Sequence, residues 1–203
     1  MKIKVCGIRT QSNLTFLSNS AVDFIGFIFY DKSGRNFNEG ELLNGIDTQK
    51  QKVGVFVNES IAQIETLARM YGLDYIQLHG DESPEFCQTL KTKGYKLFKA
   101  FALKDQLPDG LEDYEPHIDC FLFDTKGKAY GGNGAQFDWS VLDQYKLEKP
   151  FVLSGGIGPK DVESIRAIRH PQLFAVDINS RFELAPGEKD EQKLKVFIEE
   201  LKK

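Results

Sequence analysis

Two groups capable of proton chemistry follow apolar runs. Cys6 ends Ile3-Lys4-Val5 and precedes Gly7, a residue that lets backbone and ligand approach closely. A thiol there can act as a base or a nucleophile, or pack as a small hydrophobe, which is the default for one cysteine taken alone. Asp124 emerges from Phe121-Leu122-Phe123. Burial would raise its pKa and suit it to donate a proton near neutral pH, whereas its ordinary role is a helix or loop cap. Arg35 offers a planar fork for a carboxylate, against the default of a solvated surface arginine. His79 reads as a ligand contact or as a histidine that packs and satisfies its own hydrogen bonds. Cys87, Cys120, His117 and His170 receive no chemical role.

These groups need a frame that brings distant segments together. Short β-branched or aromatic runs recur at Lys2–Cys6, Phe24–Phe29, Lys52–Val57, Asp74–Leu78, Lys96–Phe101, Ile118–Phe123, Phe151–Leu153 and Leu173–Val176. Several are apolar on both faces, as parallel strands covered on both sides are. Helix periodicity separates many of them. Ile61, Ile64, Leu67 and Ala68 share a face in Ser60–Tyr71. Pro159 suits a first helical turn ahead of Val162, Ile165 and Ile168. Leu194, Phe197, Ile198 and Leu201 form a final stripe. Helix signals after the second and fifth strands are weak.

Eight strands alternating with helices can form an open doubly wound sheet or a closed barrel. The count favours a (β/α)8 TIM barrel spanning residues 1–203 as one domain. Catalytic groups then sit at the C-terminal strand ends, which places Cys6, Arg35, His79, Asp124, Asp177 and the loops after strands seven and eight at one mouth. Gly155-Gly156 and Asn179-Ser180 occupy the usual phosphate positions of this fold, where backbone N–H groups and a short helix N-terminus hold a dianion. A plain tight turn is the other reading of Gly155-Gly156. Gly131-Gly132-Asn133-Gly134 reads as a lid or a mobile connection.

Composition narrows the class. The net charge of −4 argues against broad nucleic-acid binding. No signal-peptide pattern opens the chain and no apolar run is long enough for a membrane helix. Three cysteines without metal-like spacing read as reduced thiols, and the expectation is a cytoplasmic protein with no metal. No glycine-rich nucleotide fingerprint follows the first strand.

Ordered blocks along the chain then carry a resemblance. They are Lys4-Val5-Cys6-Gly7-Ile8, Ser33-Gly34-Arg35, Val53–Asn58, Ile76–Asp81, Phe123-Asp124-Thr125, Gly131–Gly134, Leu153–Ile157, Val176–Ser180 and Pro186–Asp190. Together they resemble phosphoribosylanthranilate isomerase. The resemblance implies a cofactor-free Amadori rearrangement in tryptophan biosynthesis. It takes N-(5-phosphoribosyl)anthranilate to 1-(2-carboxyphenylamino)-1-deoxyribulose 5-phosphate. It further implies that Cys6 is the general base, that Asp124 is the general acid and that Arg35 holds the anthranilate carboxylate. His79, Gly155, Gly156, Asp177, Asn179 and Ser180 are expected around the substrate. The only partner expected is that small phosphorylated molecule, in a monomer or homodimer. Gly34 stands where the family often has proline, and Arg181 where a glycine is expected. A histidine-pathway barrel doing the same chemistry would carry aspartate at position 6. A barrel that binds a phosphorylated ligand without catalysis would not need both Cys6 and Asp124.

Overall fold

The apolar runs become eight parallel strands: β1 (Lys2–Val5), β2 (Phe24–Ile28), β3 (Gln51–Phe56), β4 (Tyr75–Leu78), β5 (Leu97–Leu103), β6 (Cys120–Thr125), β7 (Phe151–Leu153) and β8 (Leu173–Ile178). Each pairs with its sequence neighbour, and β8 returns to pair with β1, closing the barrel. The computed structural model describes residues 1–37, 48–125 and 137–203. The glycine-rich stretch Gly131–Gly134 lies outside the described residues.

Alternation along each strand divides the core in two. Phe24, Val53, Phe98, Ala100, Cys120, Leu122, Val152 and Ala175 fill the barrel. Their neighbours Ile3, Val5, Ile25, Phe27, Ile76, Leu97, Phe121, Phe123, Val176 and Ile178 face the helices. Both faces of β2 are therefore buried, as its unbroken apolar run requires. Near the strand starts, Phe24, Tyr75 and Phe98 plug the barrel: Phe24 meets both other rings edge to face, and Tyr75 and Phe98 are tilted together, with ring centroids 4.8 to 5.7 Å apart. Lys2 lays its ammonium 4.7 Å from the Phe174 ring at the same end. Polar inward residues are thus left to the opposite end.

The helices are fixed by local chemistry. Helix α1 (Gln11–Ser18) starts at Thr10, whose side chain caps the Asn13 amide. Helix α2 (Ile61–Tyr71) starts at Ser60 and stops at Gly72, whose left-handed φ of 59° suits glycine. Helix α3 (Pro84–Thr92) is capped by Ser83 and buries Cys87 and Leu90. After β5 comes one turn, α4 (Leu111–Tyr114), run into a 3-10 turn. A 3-10 segment, Trp139–Gln144, precedes β7. Helix α5 (Val162–Ala167) starts later than Pro159 suggested. Pro159 lies in a turn, and the carboxylate of Asp161 accepts from the Gly158 amide, delaying the helix. Helix α6 (Glu191–Lys202) buries Leu194, Phe197, Ile198 and Leu201, each contributing about 1.5–3 kcal/mol. Between β8 and α6 an antiparallel hairpin, β9 (Glu183–Ala185) and β10 (Glu188–Lys189), turns through Pro186 and Gly187. Strand periodicity gave no sign of it.

Candidate active site

Cys6 is one residue past β1 and is held by its backbone. Its amide donates to the Ile178 carbonyl at 3.0 Å, and the Gly7 and Ile8 amides both donate to the Gly26 carbonyl. The thiol faces inward and is only 4% exposed. Space for it comes from β2: a Cβ on Gly26 would lie 2.8 Å from the Cys6 sulfur. Gly7, at φ 76°, brings the backbone against Asn179 and the stem of Arg35.

Two residues before Cys6, on the same inward face, Lys4 is wholly buried. It stands in register with Asp177 on β8 and donates to Asp177 Oδ2 at 2.8 Å. Burial alone would strip Lys4 of its charge, but Asp177 and the thiol of Cys6 outweigh it and hold the ammonium above the usual lysine pKa. Burial pushes the Cys6 thiol up, while the charge and hydrogen bonding of Lys4 pull the other way. Asp177 Oδ1 is buried and has no hydrogen-bond partner among the described residues.

Across the mouth, β4 and β6 supply a second polar pair. His79 Nε2 lies 3.3 Å from Asp124 Oδ2, and its Nδ1 lies 2.8 Å from the Gln77 amide nitrogen. The ring is thus held between the Gln77 amide and the Asp124 carboxylate. Asp124 Oδ1 accepts from the Thr125 amide at 2.8 Å, and the residue is 8% exposed. Gly155, at φ 93°, crosses this pair so closely that a Cβ would strike Thr125 and come within 2.9 Å of Asp124 Oδ1. Gly156 follows at φ 65°. Asp177 links the two halves: it pairs with Lys4 and also feels the charges of Asp124 and His79.

A third cluster sits where the hairpin meets the loop after β2. Arg35 engages Glu183 through Nε and Nη2, the latter at 2.7 Å. Lys189 donates to Glu183 at 2.8 Å and to Asn179 Oδ1 at 2.6 Å. Burial would raise the Glu183 carboxyl, but Arg35, Lys189 and the Gly187 amide bring it below its usual range. Asn13 on α1 exchanges two hydrogen bonds with the backbone of Lys189, pinning the hairpin. Ser180 opens a single 3-10 turn, Ser180–Phe182, directly after Asn179.

Every expected site residue is therefore at one end of the barrel. Arg35 and Asn179 are not solvated loop residues, since both already hold protein partners. Lys4, Gln77, Glu183 and Lys189 were not singled out by sequence. The period of two along a strand places Lys4 with Cys6 and Gln77 with His79. Pro186-Gly187 marks the hairpin turn that delivers the other two. Cys87 and Cys120 are buried free thiols, and burial pushes Cys87 up to about 12. His170 lies before β8 with its ring 5.0 Å from that of Phe151, away from the mouth.

A closed (β/α)8 barrel with a buried thiol, a buried carboxyl and fixed cations at its C-terminal mouth belongs to the barrel enzymes that move protons on small anionic substrates. Residues 3–200 match the family described as N-(5'-phosphoribosyl)anthranilate (PRA) isomerase. The chain is 47% identical to the N-(5'-phosphoribosyl)anthranilate isomerase of Parabacteroides distasonis, covering 99% of this chain and 93% of that one. Among solved structures it is similar to monomers generated from the dimeric phosphoribosylanthranilate isomerase of Thermotoga maritima (TM-score 0.81, 33% identity, 100% and 98% coverage). It is also similar to a phosphoribosylanthranilate isomerase in complex with reduced 1-(o-carboxyphenylamino)-1-deoxyribulose 5-phosphate (TM-score 0.80, 31% identity, 100% and 98% coverage). The chain belongs to the phosphoribosylanthranilate isomerase family and is an isomerase of tryptophan biosynthesis.

Proposed function

We propose that the chain rearranges N-(5-phosphoribosyl)anthranilate to 1-(2-carboxyphenylamino)-1-deoxyribulose 5-phosphate, with Asp124 as general acid and Cys6 as general base. The observation that carries this reading is a buried thiol just past β1 and a buried carboxyl on β6, both at the mouth of a family barrel. Asp124 protonates the furanose ring oxygen, and the ring opens to an iminium. That cation acidifies the neighbouring carbon-bound proton, which moves to the Cys6 thiolate. The resulting enolamine tautomerises to the ketone. Each positioned transfer contributes about 10²–10⁴-fold in rate.

The remaining residues fit binding. The left-handed turns of Gly155 and Gly156, with Asn179 and Ser180 on the next loop, offer backbone N–H groups to the phosphate. Glu183 takes the Nε and Nη2 edge of Arg35 and so holds the guanidinium in place, and on this reading the anthranilate carboxylate meets its Nη1 side. Asp177 Oδ1 suits a substrate hydroxyl, and His79 keeps Asp124 oriented while lining the site. All these groups come from one chain, which on this reading works as a monomer or a homodimer. Free thiols at Cys6, Cys87 and Cys120 suit a reducing cytoplasm. Freshly made phosphoribosylanthranilate mixed with the protein should lose its anthranilate fluorescence faster than without it. No acceleration would end this reading.

A further inference from the structure

We propose that Lys4, held by Asp177, is the positioning residue that makes the Cys6 thiol a competent base. The proposal rests on the reading of Cys6 as base. Lys4 and Cys6 alternate onto one face of the barrel interior, and Lys4 is wholly buried beneath the mouth. An isolated ammonium at that depth is costly, and a partner is what makes it tolerable. Asp177 supplies that partner from the facing register position at 2.8 Å. The barrel thus keeps a charged pair at a depth where well-packed hydrophobic residues of similar volume often cost nothing in stability.

The charges around the thiol show what the pair does. On β1, Lys4 stabilises the thiolate by charge and hydrogen bond, and its charge is the strongest such influence. On β8, Asp177 opposes it more weakly, and on β10 Lys189 assists. The β2 strand presents only Gly26, and the loop after it brings the stem of Arg35 against Gly7. On β6 and β4, Asp124 and His79 act on Asp177. Burial holds the thiol above its ordinary pKa even so, and the cation opposes that rise, so without Lys4 the sulfur would stay protonated still further from neutral pH. Lys4 transfers no proton itself. During catalysis the substrate carbon loses its proton to the Cys6 sulfur, and Lys4 stays a fixed cation throughout.

The test compares wild type, Lys4→Met, Lys4→Arg and the doubly neutral Lys4→Met/Asp177→Asn. The double variant leaves no unpaired buried carboxylate and serves if Lys4→Met does not fold. The pH dependence of iodoacetamide labelling is read at the Cys6 peptide by mass spectrometry. In Lys4→Met the midpoint should rise by roughly one pH unit or more. At neutral pH, kcat should fall about tenfold for each such unit, with KM little changed. Lys4→Arg should recover part of the loss, and the double variant should show a smaller rise. A labelling midpoint that stays at the wild-type value in folded variants would overturn the proposal while leaving Cys6 as base. Full turnover by Cys6→Ala would overturn the base reading and the proposal together.

Discussion

Replacing Gly26 by alanine asks how finely the Cys6 sulfur is placed. The added methyl would sit 2.8 Å from the sulfur, 3.1 Å from Cys6 Cα and 3.2 Å from Cys6 Cβ. Comfortable contact needs about 3.5–4.0 Å. Rotating the side chain relieves only the first clash, because the second is with backbone. The strands cannot simply part, since the Gly7 and Ile8 amides both hang on the Gly26 carbonyl. The sulfur must therefore move by roughly 0.5–1 Å relative to the reacting carbon, a displacement that can cost about 10²-fold in kcat. Overpacking should also lower stability by about 1–3 kcal/mol. Fluorescence kinetics on phosphoribosylanthranilate give kcat and KM, and urea unfolding gives stability. The expected variant folds, binds substrate and turns over slowly. A folded Gly26→Ala protein with wild-type kcat would refute the claim that this glycine sets the position of the base.

Other expectations concern the acid, the binding fork and the buried thiols. Cys6→Ala and Asp124→Asn should each lower kcat by about 10²–10⁴-fold while product-analogue binding, measured by calorimetry, persists; near-normal turnover in either would contradict its role. Arg35→Ala should act mainly on KM and also loosen Glu183; an unchanged KM would make the Arg35–Glu183 pair purely structural. Cys87 is an acid whose pKa is raised in the fold from 9.0 to about 12, so the native state holds a proton that the unfolded chain releases. Its contribution to stability is complete below pH 9.0 and is lost as pH rises toward about 12, at about 1.4 kcal/mol per pH unit. Urea titrations at increasing alkaline pH should show a shallower decline in Cys87→Ala than in wild type. Equal slopes would mean that Cys87 is already solvated in the native state.

Much of the frame was readable because barrel strands are buried on both faces. Phe24-Ile25-Gly26-Phe27-Ile28 has no solvent side, and its residues divide between the barrel interior and the helix layer. Caps were readable too where a side chain makes a local bond, as at Ser60. Pro159 misled because a carboxylate three residues past Gly158 competes for the turn. Within the site, the placement of Cys6 and Asp124 at the barrel mouth was legible from their position after apolar runs. Lys4 was not, because a lysine in a strand ordinarily marks a solvent face. Its carboxylate partner, Asp177, is 173 residues away, and no local pattern carries that pairing. Glu183 and Lys189 were obscured similarly, since their hairpin is short and its polar residues look like a loop.

The Lys4–Asp177 bond joins the first strand of the barrel to the last. Cys6 thus follows the first strand of the barrel, yet the carboxylate that pairs with its neighbour Lys4 comes from the eighth. A chain lacking β8 carries the sulfur without that pair beside it, however much of the sheet has formed. If Lys4 sets the basicity of Cys6 as proposed, turnover reports ring closure. A circular permutant that makes β8 and β1 contiguous would reach that state through a short-range contact instead of a long-range one.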